Sequence, residues 1–234
     1  MREVQDHYFR LAKKEGYLSR AAYKLIEIDE RRRILRTGDR VLDCGCAPGS
    51  WLQVASKIVG ERGVVVGVDL QALRRKIADN VRVIAADFTT IDPMQPLRAA
   101  STGGNRLFDA ILSDMAPNTT GDPEGDHFNS VRLCEAVLER CPALLRPRVG
   151  DRAGGNLVMK VFEGSSYMSL LKRAERLFED AKGFKPKASR SESTEMYIIA
   201  RDWIGLDPAR VDPRPCDVSV LAPPRPQPRA GWGE

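Results

Sequence analysis

The segment from Val41 to Trp51, VLDCGCAPGSW, constrains the fold of this chain more than any other part of the sequence. It begins with an apolar run, turns on two glycines and a proline, and leads into a helical pattern. A strand, a tight loop and a helix in this order are typical of sites that hold a nucleotide-like ligand at the carboxyl edge of a parallel sheet. The segment therefore predicts the floor of a cofactor site.

Apolar runs and helical patterns alternate along most of the chain. Further strands are predicted over residues 64–70, 81–85, 108–113, 156–162, 184–187 and 196–201. Helical patterns separate most of them, including one over residues 166–181. Strands that alternate with helices predict an α/β fold built on a doubly wound, mostly parallel sheet. Ligands of such sheets bind outside the carboxyl ends of the strands, so the residues at those ends are the candidates for a site.

Composition divides the 234 residues into three regions. Residues 1–36 are rich in Arg and Lys and are predicted to form a basic helical region that packs on the core. Residues 37–204 carry the α/β pattern and form the predicted main domain. Residues 205–234 concentrate proline, arginine and small residues, which predicts a disordered tail.

One helix is predicted within the basic region. Ser19 is a candidate N-cap for a helix from about Arg20 to Glu30, and Lys24 lies on that helix. Arginines at positions 31–33 follow near its end. They could complement the helix dipole or contact the phosphates of an RNA, and the sequence leaves both roles open.

Charge and cysteine content narrow the class of protein. The net charge of +5 and the pI near 9.0 are compatible with a polyanionic partner but do not require one. The five cysteines are odd in number, which argues against a disulfide framework, and neither histidine lies at metal-binding spacing from a cysteine pair. The first residues lack the apolar core of a secretory signal, and no run is long and apolar enough to cross a bilayer. We therefore expect a cytoplasmic protein without a metal site or a membrane partner.

The loop reads G-C-A-P-G and so differs from the dinucleotide-binding pattern G-x-G-x-x-G. Pro48 lacks a backbone N–H at a point where a pyrophosphate would need donors. A ligand without phosphates suits the loop better, and the glycines allow the backbone to approach it closely. S-adenosylmethionine is such a ligand, because it joins adenosine to a zwitterionic amino acid through a cationic sulfonium. A plain strand–helix turn is the structural alternative.

Single aspartates stand at the ends of three predicted strands. Asp69 lies about twenty residues beyond the loop, where an acid accepts hydrogen bonds from ribose hydroxyls. Asp87 follows the third strand and is a candidate for the adenine amino group, and Asp114, in SDMAPN, would face the sulfonium end of the ligand. Each of the three could instead cap a helix or form an Asx-turn, so none is decisive alone.

Two further charged residues accompany the last strands. Lys160 interrupts LVMKVF, a run otherwise fit for burial, and a buried lysine is costly unless it is paired or neutral. It could instead extend its amine to solvent at the strand end. Glu195 begins the final strand and by itself is an ordinary surface acid.

Five segments, in the same order along the chain, resemble motifs of the FtsJ/RrmJ family of ribosomal RNA 2′-O-methyltransferases. The segments are SRAAYKL, DCGCAPGSW, SDMAPN, VMKVF and TEMYIIA, and the resemblance extends from about Asp6 to Ala200. It implies a Rossmann-like, seven-stranded methyltransferase sheet whose last strand is antiparallel, with residues 37–204 as the methyltransferase domain. Cys44 and Cys46 depart from the larger hydrophobic residues or alanine of the family pattern, and both are small enough to be tolerated.

The resemblance also implies which residues act. Its catalytic tetrad falls on Lys24, Asp114, Lys160 and Glu195. Its cofactor contacts fall on Gly49, Trp51, Asp69, Asp87 and Asp114, beside Gly45 of the loop. Phosphate contacts with the RNA are expected at Lys13, Lys14, Arg20, Arg31, Arg32 and Arg33.

The activity implied is methylation of a ribose 2′-hydroxyl, expected to be that of a uridine, in large-subunit ribosomal RNA, by a monomer that uses S-adenosylmethionine. A sulfonium methyl is already electrophilic, so the protein must mainly align and deprotonate the hydroxyl. Lys160 is the expected general base, since burial and the charge of Lys24 favour the neutral amine that a base needs, whereas the carboxylates oppose it. A charged Lys160 that only steers the hydroxyl is an equally open alternative.

Other classes of function compete with this one. A non-catalytic RNA-binding or ribosome-assembly factor could keep the fold, although all four tetrad positions are present. An NAD(P)-dependent oxidoreductase could use Arg74 and Arg75 for a 2′-phosphate, but the loop has a proline and lacks the third glycine. The RNA could also be tRNA or an mRNA cap, and the short N-terminal region favours ribosomal RNA among these.

Overall fold

The computed structural model describes residues 2–101, 106–189 and 193–205. The predicted tail, residues 205–234, lies outside the described residues after Gly205 and stays a prediction. None of the helices in the described part of the chain is long and apolar enough to span a membrane.

Seven strands and six helices form within the described ranges. The strands are β1 (Arg40–Cys44), β2 (Val64–Asp69), β3 (Val81–Ala85), β4 (Ala110–Ser113), β5 (Asn156–Phe162), β6 (Phe178–Phe184) and β7 (Glu195–Trp203). The helices are α1 (Arg2–Glu15), α2 (Ala22–Arg32), α3 (Ser50–Val59), α4 (Met94–Ala99), α5 (Pro123–Leu144) and α6 (Tyr167–Leu177).

The strands form one sheet in the order β3-β2-β1-β4-β5-β7-β6. Neighbouring strands from β3 to β5 are parallel, whereas β7 runs antiparallel to both β5 and β6. The expected Rossmann-like sheet with an antiparallel last strand is therefore confirmed. The strand order reverses between β1 and β4, and the carboxyl edge at such a reversal is where open α/β sheets bind their ligands.

Side-chain alternation along each strand divides the core into two layers. Leu42 and Cys44 of β1 pack on the face that α5 and α6 cover, and Val41 packs on the face that α2 and α3 cover. In β5, Val158 belongs to the second of these layers. Lys160 is two residues further along the same strand, so it falls on the face covered by α2, which carries Lys24.

The helix predicted over residues 166–181 is too long. Helix α6 ends at Leu177, and the chain continues as the extended edge strand β6. Phe178 and Ala181 are buried, and the ring of Phe178 packs 5.1 Å from that of Trp203 in β7. Pairing with β7 is a long-range interaction, so it overrides the local helical pattern.

The start of α2 also differs from the prediction. The helix begins at Ala22, not at Arg20, and no side chain caps it. The hydroxyl of Ser19 instead accepts a hydrogen bond from the Ala21 amide (3.2 Å) and lies 2.7 Å from the hydroxyl of Ser50. Ser19 therefore joins the start of α2 to the start of α3, which brings the basic region onto the core.

Candidate active site

A cavity of about 550 Å³ opens at the carboxyl edge of the sheet, where the strand order reverses. The turns that follow β1, β2, β3 and β4 form its walls. Four of the residues predicted to bind a cofactor line it, namely Gly45, Asp69, Asp87 and Asp114. Gly49 and Trp51 are not among the lining residues.

The turn after β1 is held tightly against the loop after β4. Gly45 has a φ of 75°, and a Cβ atom there would lie 2.7 Å from Met115 Cγ and 2.9 Å from Met115 Cα. Any side chain at this position would therefore clash with backbone. The amide of Ala47 donates to Asp69 Oδ2 at 2.9 Å, so one wall of the cavity fixes the other. Pro48 follows with no N–H to offer a ligand.

Asp87 forms a local turn as well as lining the cavity. Its Oδ1 accepts hydrogen bonds from the Thr89 hydroxyl (2.7 Å) and the Thr89 amide (2.8 Å). These hydrogen bonds, the one from the side chain foremost, lower the pKa of Asp87 below its ordinary value. The capping role and the cavity-lining role are thus compatible in one residue, which presents a charged carboxylate at the end of β3.

Trp51 does not line the cavity but contacts residues next to the tetrad. Its indole N–H donates to the carbonyl of Ala21 at 2.9 Å, and its ring lies 5.9 Å from the ring of Tyr197. Gly49 precedes α3 with a φ of 113°, a conformation that side chains rarely adopt. Trp51 therefore joins α3 to the residue before α2 and to β7, whereas Gly49 provides the turn into α3.

The four residues of the predicted tetrad meet at one point. Lys160 Nζ lies 3.0 Å from Asp114 Oδ1 and donates to the Asp114 carbonyl at 2.7 Å. Lys24 Nζ lies 2.8 Å from Glu195 Oε2, and Lys160 Nζ lies 3.9 Å from Glu195 Oε1. Two amines and two carboxylates from α2, β5, β7 and the turn after β4 thus form one connected group. Because Asp114 also lines the cavity, this group borders it.

Burial makes the charge balance of the tetrad important. Lys24 is 6% exposed and Lys160 is 7% exposed. Burial by itself would raise the pKa of Glu195, but the charge and hydrogen bond of Lys24, followed by the charge of Lys160, outweigh it and lower that pKa. Glu195 therefore stays ionised and holds both amines in place.

Tyr197 is a member of the site that the sequence interpretation did not single out. Its hydroxyl donates to Asp114 Oδ1 at 2.8 Å, and the residue is fully buried. Burial, and then the charges of Asp114 and Glu195, raise the pKa of the phenol well above its ordinary value, so it acts as a donor only. A tyrosine within the apolar run YIIA is the one signal for this role in the sequence, because a buried hydroxyl needs a partner.

Helix α1 brings two of the predicted RNA-binding lysines toward the tetrad end of α2. Lys13 and Lys14 are exposed in its last turn. The helix packs through Ala12 against Tyr23 of α2, which is adjacent to Lys24 in the chain. Arg20 lies in the short connection between α1 and α2.

The arginines at positions 31–33 lie at the opposite end of α2. Arg32 forms an ion pair with Asp180, and Arg31 lies 3.5 Å from Glu27. Arg33 ends the helix with a left-handed φ of 49°. Asp180 pairs in register with Arg201, toward the amino edge of the parallel strands. These arginines thus lie toward the amino edge of the sheet, opposite the edge at which the cavity opens. Their contacts with RNA remain a prediction.

Within residues 2–101, 106–189 and 193–205, no group of three or more His, Cys, Asp or Glu side chains could hold a metal ion. Four free cysteines are buried in this part of the chain, at Cys44, Cys46, Cys134 and Cys141. Cys216 lies outside the described residues.

Proteins of similar sequence carry the name of a ribosomal RNA methyltransferase. Relatives include the ribosomal RNA large subunit methyltransferase E of Syntrophobacter fumaroxidans, which is 46% identical over 84% of this chain and 94% of its own length. The protein of the same name from Methanothermobacter thermautotrophicus is 44% identical over 87% of this chain and 92% of its own length.

A structural comparison and a family comparison lead to the same assignment. A crystal structure described as a ribosomal RNA methyltransferase from Plasmodium falciparum superposes with a TM-score of 0.68 at 26% identity, over 81% of this chain and 100% of that one. The model of the FtsJ-like methyltransferase family matches residues 17–203, which include all four tetrad residues and the whole cavity. The chain therefore belongs to the FtsJ-like methyltransferase family.

Proposed function

We propose that the protein transfers a methyl group from S-adenosylmethionine to the 2′-hydroxyl of a ribose, that of a uridine, in large-subunit ribosomal RNA. It would do so as a cytoplasmic monomer. The names of its relatives support this substrate class. The observation that carries the proposal is the contact of 3.0 Å between Lys160 Nζ and Asp114, since it joins the tetrad to the wall of the cavity.

The lining of the cavity suits a cationic nucleoside that has no phosphates. Three carboxylates line it, those of Asp69, Asp87 and Asp114, and the loop beside them contains Pro48. In this proposal Asp69 would hold the ribose, Asp87 the adenine and Asp114 the sulfonium end. The bound cofactor would supply a methyl group that is already electrophilic and a leaving group that departs without charge.

The residues of the tetrad would then prepare the acceptor hydroxyl. Lys160 would accept the proton of the 2′-hydroxyl, with its amine held by the carbonyl and the Oδ1 atom of Asp114. Tyr197 donates to the same Oδ1 atom and fixes the carboxylate. Glu195 holds Lys24 at 2.8 Å, which places a second amine beside the first. Positioning of this kind accounts for much of the rate enhancement when the methyl group is already activated.

The cofactor and the substrate can be tested separately. Calorimetry should show binding of S-adenosylmethionine and no binding of NADPH, and the reverse result would favour an oxidoreductase.

Ribosomal RNA from a deletion strain should lack one 2′-O-methyl group, which the purified protein should restore on isolated large subunits. Methylation of tRNA in preference to large subunits would contradict the proposed substrate. Binding of the subunit without any methyl transfer would favour a non-catalytic assembly factor.

The basic end of α1 provides a prediction about RNA docking. Replacing Lys13 and Lys14 together with glutamine should weaken binding of a large-subunit RNA fragment and reduce its log–log salt slope by about 1.4–1.8, the value for two lost phosphate contacts. A filter-binding titration at several salt concentrations measures this slope. An unchanged slope would place the docking face elsewhere.

A matched control comes from the opposite edge of the sheet. Arg31 and Arg33 are also exposed, but they lie at the far end of α2. Their replacement with glutamine should change the slope less than replacement of the two lysines. An equal or larger change would show that the RNA extends around the molecule to the amino edge.

A further inference from the structure

Strand β1 carries a carboxylate that nothing in the described structure neutralises. Asp43 is completely buried, and neither of its carboxylate oxygens has a hydrogen-bond partner. It lies inside the sheet, opposite Gly67 of β2 and Leu112 of β4. Burying an ionised carboxylate without a partner costs far more than burying a neutral acid, so the isolated protein favours the protonated form.

The charged groups around Asp43 strengthen this preference. Burial, followed by the negative charges of Asp114 and Asp69, raises the pKa of Asp43 well above its ordinary value. On its own segment, Cys44 and Cys46 are buried thiols whose pKa is also raised, first by burial. They therefore contribute no charge of either sign.

The cations of the neighbouring helix and strand are already engaged. Lys24, on the α2 side, is held by Glu195 at 2.8 Å, and Lys160, on the β5 side, is held by Asp114 at 3.0 Å. Asp43 is two residues before Gly45, which lines the cavity, and the charges of Asp69 and Asp114, which also line it, act on Asp43. Lys160 offsets the charge of Asp114, but no lysine or arginine is among the described residues that line the cavity.

We propose that Asp43 is a neutral acid in the free protein and releases its proton when the cationic methyl donor enters the cavity. This inference rests on the proposed function, because it needs a ligand that carries a sulfonium. The proton leaves to solvent, and the carboxylate that remains balances the new positive charge. Methyl transfer turns the sulfonium into a neutral thioether, so Asp43 takes up a proton again while the product is bound.

The proposal gives Asp43 a role in distinguishing donor from product. A ligand whose binding releases a proton binds more tightly as the pH rises, because a higher pH removes the released proton. The ratio of donor affinity to product affinity should therefore increase with pH, by up to about tenfold per pH unit, the limit for one linked proton. Both ligands share the adenosine and the amino acid, so their common contacts cancel in the ratio. The sulfonium also changes the titration of the amino group in the donor, and the comparison with Asp43→Asn below separates that effect from the ionisation of Asp43.

Calorimetry on the full chain tests this directly. S-adenosylmethionine and S-adenosylhomocysteine are each titrated in two buffers of different ionisation enthalpy, between pH 6 and pH 8. We expect the wild-type protein to release more protons with the donor than with the product. Equal proton release and a constant affinity ratio across this range would overturn the proposal without any variant.

Two variants test whether Asp43 is the group that releases the proton when the donor binds. Asp43→Asn keeps the shape of the neutral acid but cannot ionise, so it should remove the difference in proton release between the ligands. Asp39→Asn is the matched control, because Asp39 precedes β1 at the opposite edge and burial raises its pKa to about 6. It should keep the wild-type difference. A difference that persists in Asp43→Asn would overturn the assignment to Asp43, and failure of the wild-type protein to bind the donor would overturn the proposed function together with this inference.

Discussion

Replacement of Lys160 with alanine is expected to lower methyl transfer by at least about 10²–10⁴-fold, the usual contribution of a general base. S-adenosylmethionine should still bind, because Lys160 does not line the cavity and affects the cavity only through its contact with Asp114. Single-turnover transfer of a labelled methyl group to large subunits measures the first effect, and calorimetry measures the second. Turnover close to that of the wild type would remove Lys160 from the mechanism.

Two further variants separate the roles of this lysine. Lys160→Arg keeps a positive charge but does not act as a base near neutral pH. Loss of activity in this variant would therefore support the role of Lys160 as the general base. Retained activity in Lys160→Arg would instead support a cation that steers the hydroxyl. Lys182→Ala is the matched control, because this lysine lies on the edge strand β6 with a side chain that is 65% exposed. It should transfer methyl groups at the wild-type rate.

Replacement of Lys24 with methionine is the second variant with a large expected effect. It removes the partner 2.8 Å from Glu195 and leaves a half-buried carboxylate whose next cation is 3.9 Å away. We expect the rate of transfer to fall by about 10²-fold, the cost of displacing a reacting group by about 1 Å. Stability should fall as well, because the Glu195 carboxylate keeps only the more distant amine of Lys160 as a partner.

The pH dependence of unfolding tests the same pair. Glu195 has a lowered pKa in the folded protein, so its contribution to stability is present above its unfolded pKa and is lost as the pH falls through the folded one. Without Lys24, its charge and hydrogen bond no longer offset burial, so the pKa of Glu195 rises from its wild-type value. The acid limb of the unfolding curve of Lys24→Met should therefore move to higher pH. An acid limb that coincides with that of the wild type would contradict the coupling.

A double-mutant cycle gives the control. Glu195→Gln removes the carboxylate, so the combination with Lys24→Met leaves no unpaired charge at this position. The double variant should be more stable than Lys24→Met alone, because removing both partners of a buried pair costs less than removing one. Effects on stability that add without interaction would show that the two residues act independently.

Much of the scaffold could be predicted from local patterns in the sequence. The predicted strand over residues 81–85 and the predicted strand over residues 156–162 coincide with β3 and β5, because apolar runs of this length, bounded by turn residues, are typical of strands and are too short for a helix. The switch from strand to helix around Gly45 was also predictable, since its φ of 75° against Met115 needs a glycine. The family resemblance added the antiparallel last strand, which periodicity does not specify.

The sequence by itself determined the order of strands and helices, the glycine turn and the charged residues at the strand ends, because these depend on neighbours in the chain. Only the tertiary structure decided which of those charges meet. Glu195 reaches Lys160 because β7 pairs with β5, and it reaches Lys24 because α2 packs on the same face of the sheet. Tyr197 reaches Asp114 because β5 pairs with β7 on one side and with β4 on the other. The isolation of Asp43 is likewise a property of packing, since the cost of a buried charge depends on what surrounds it in space.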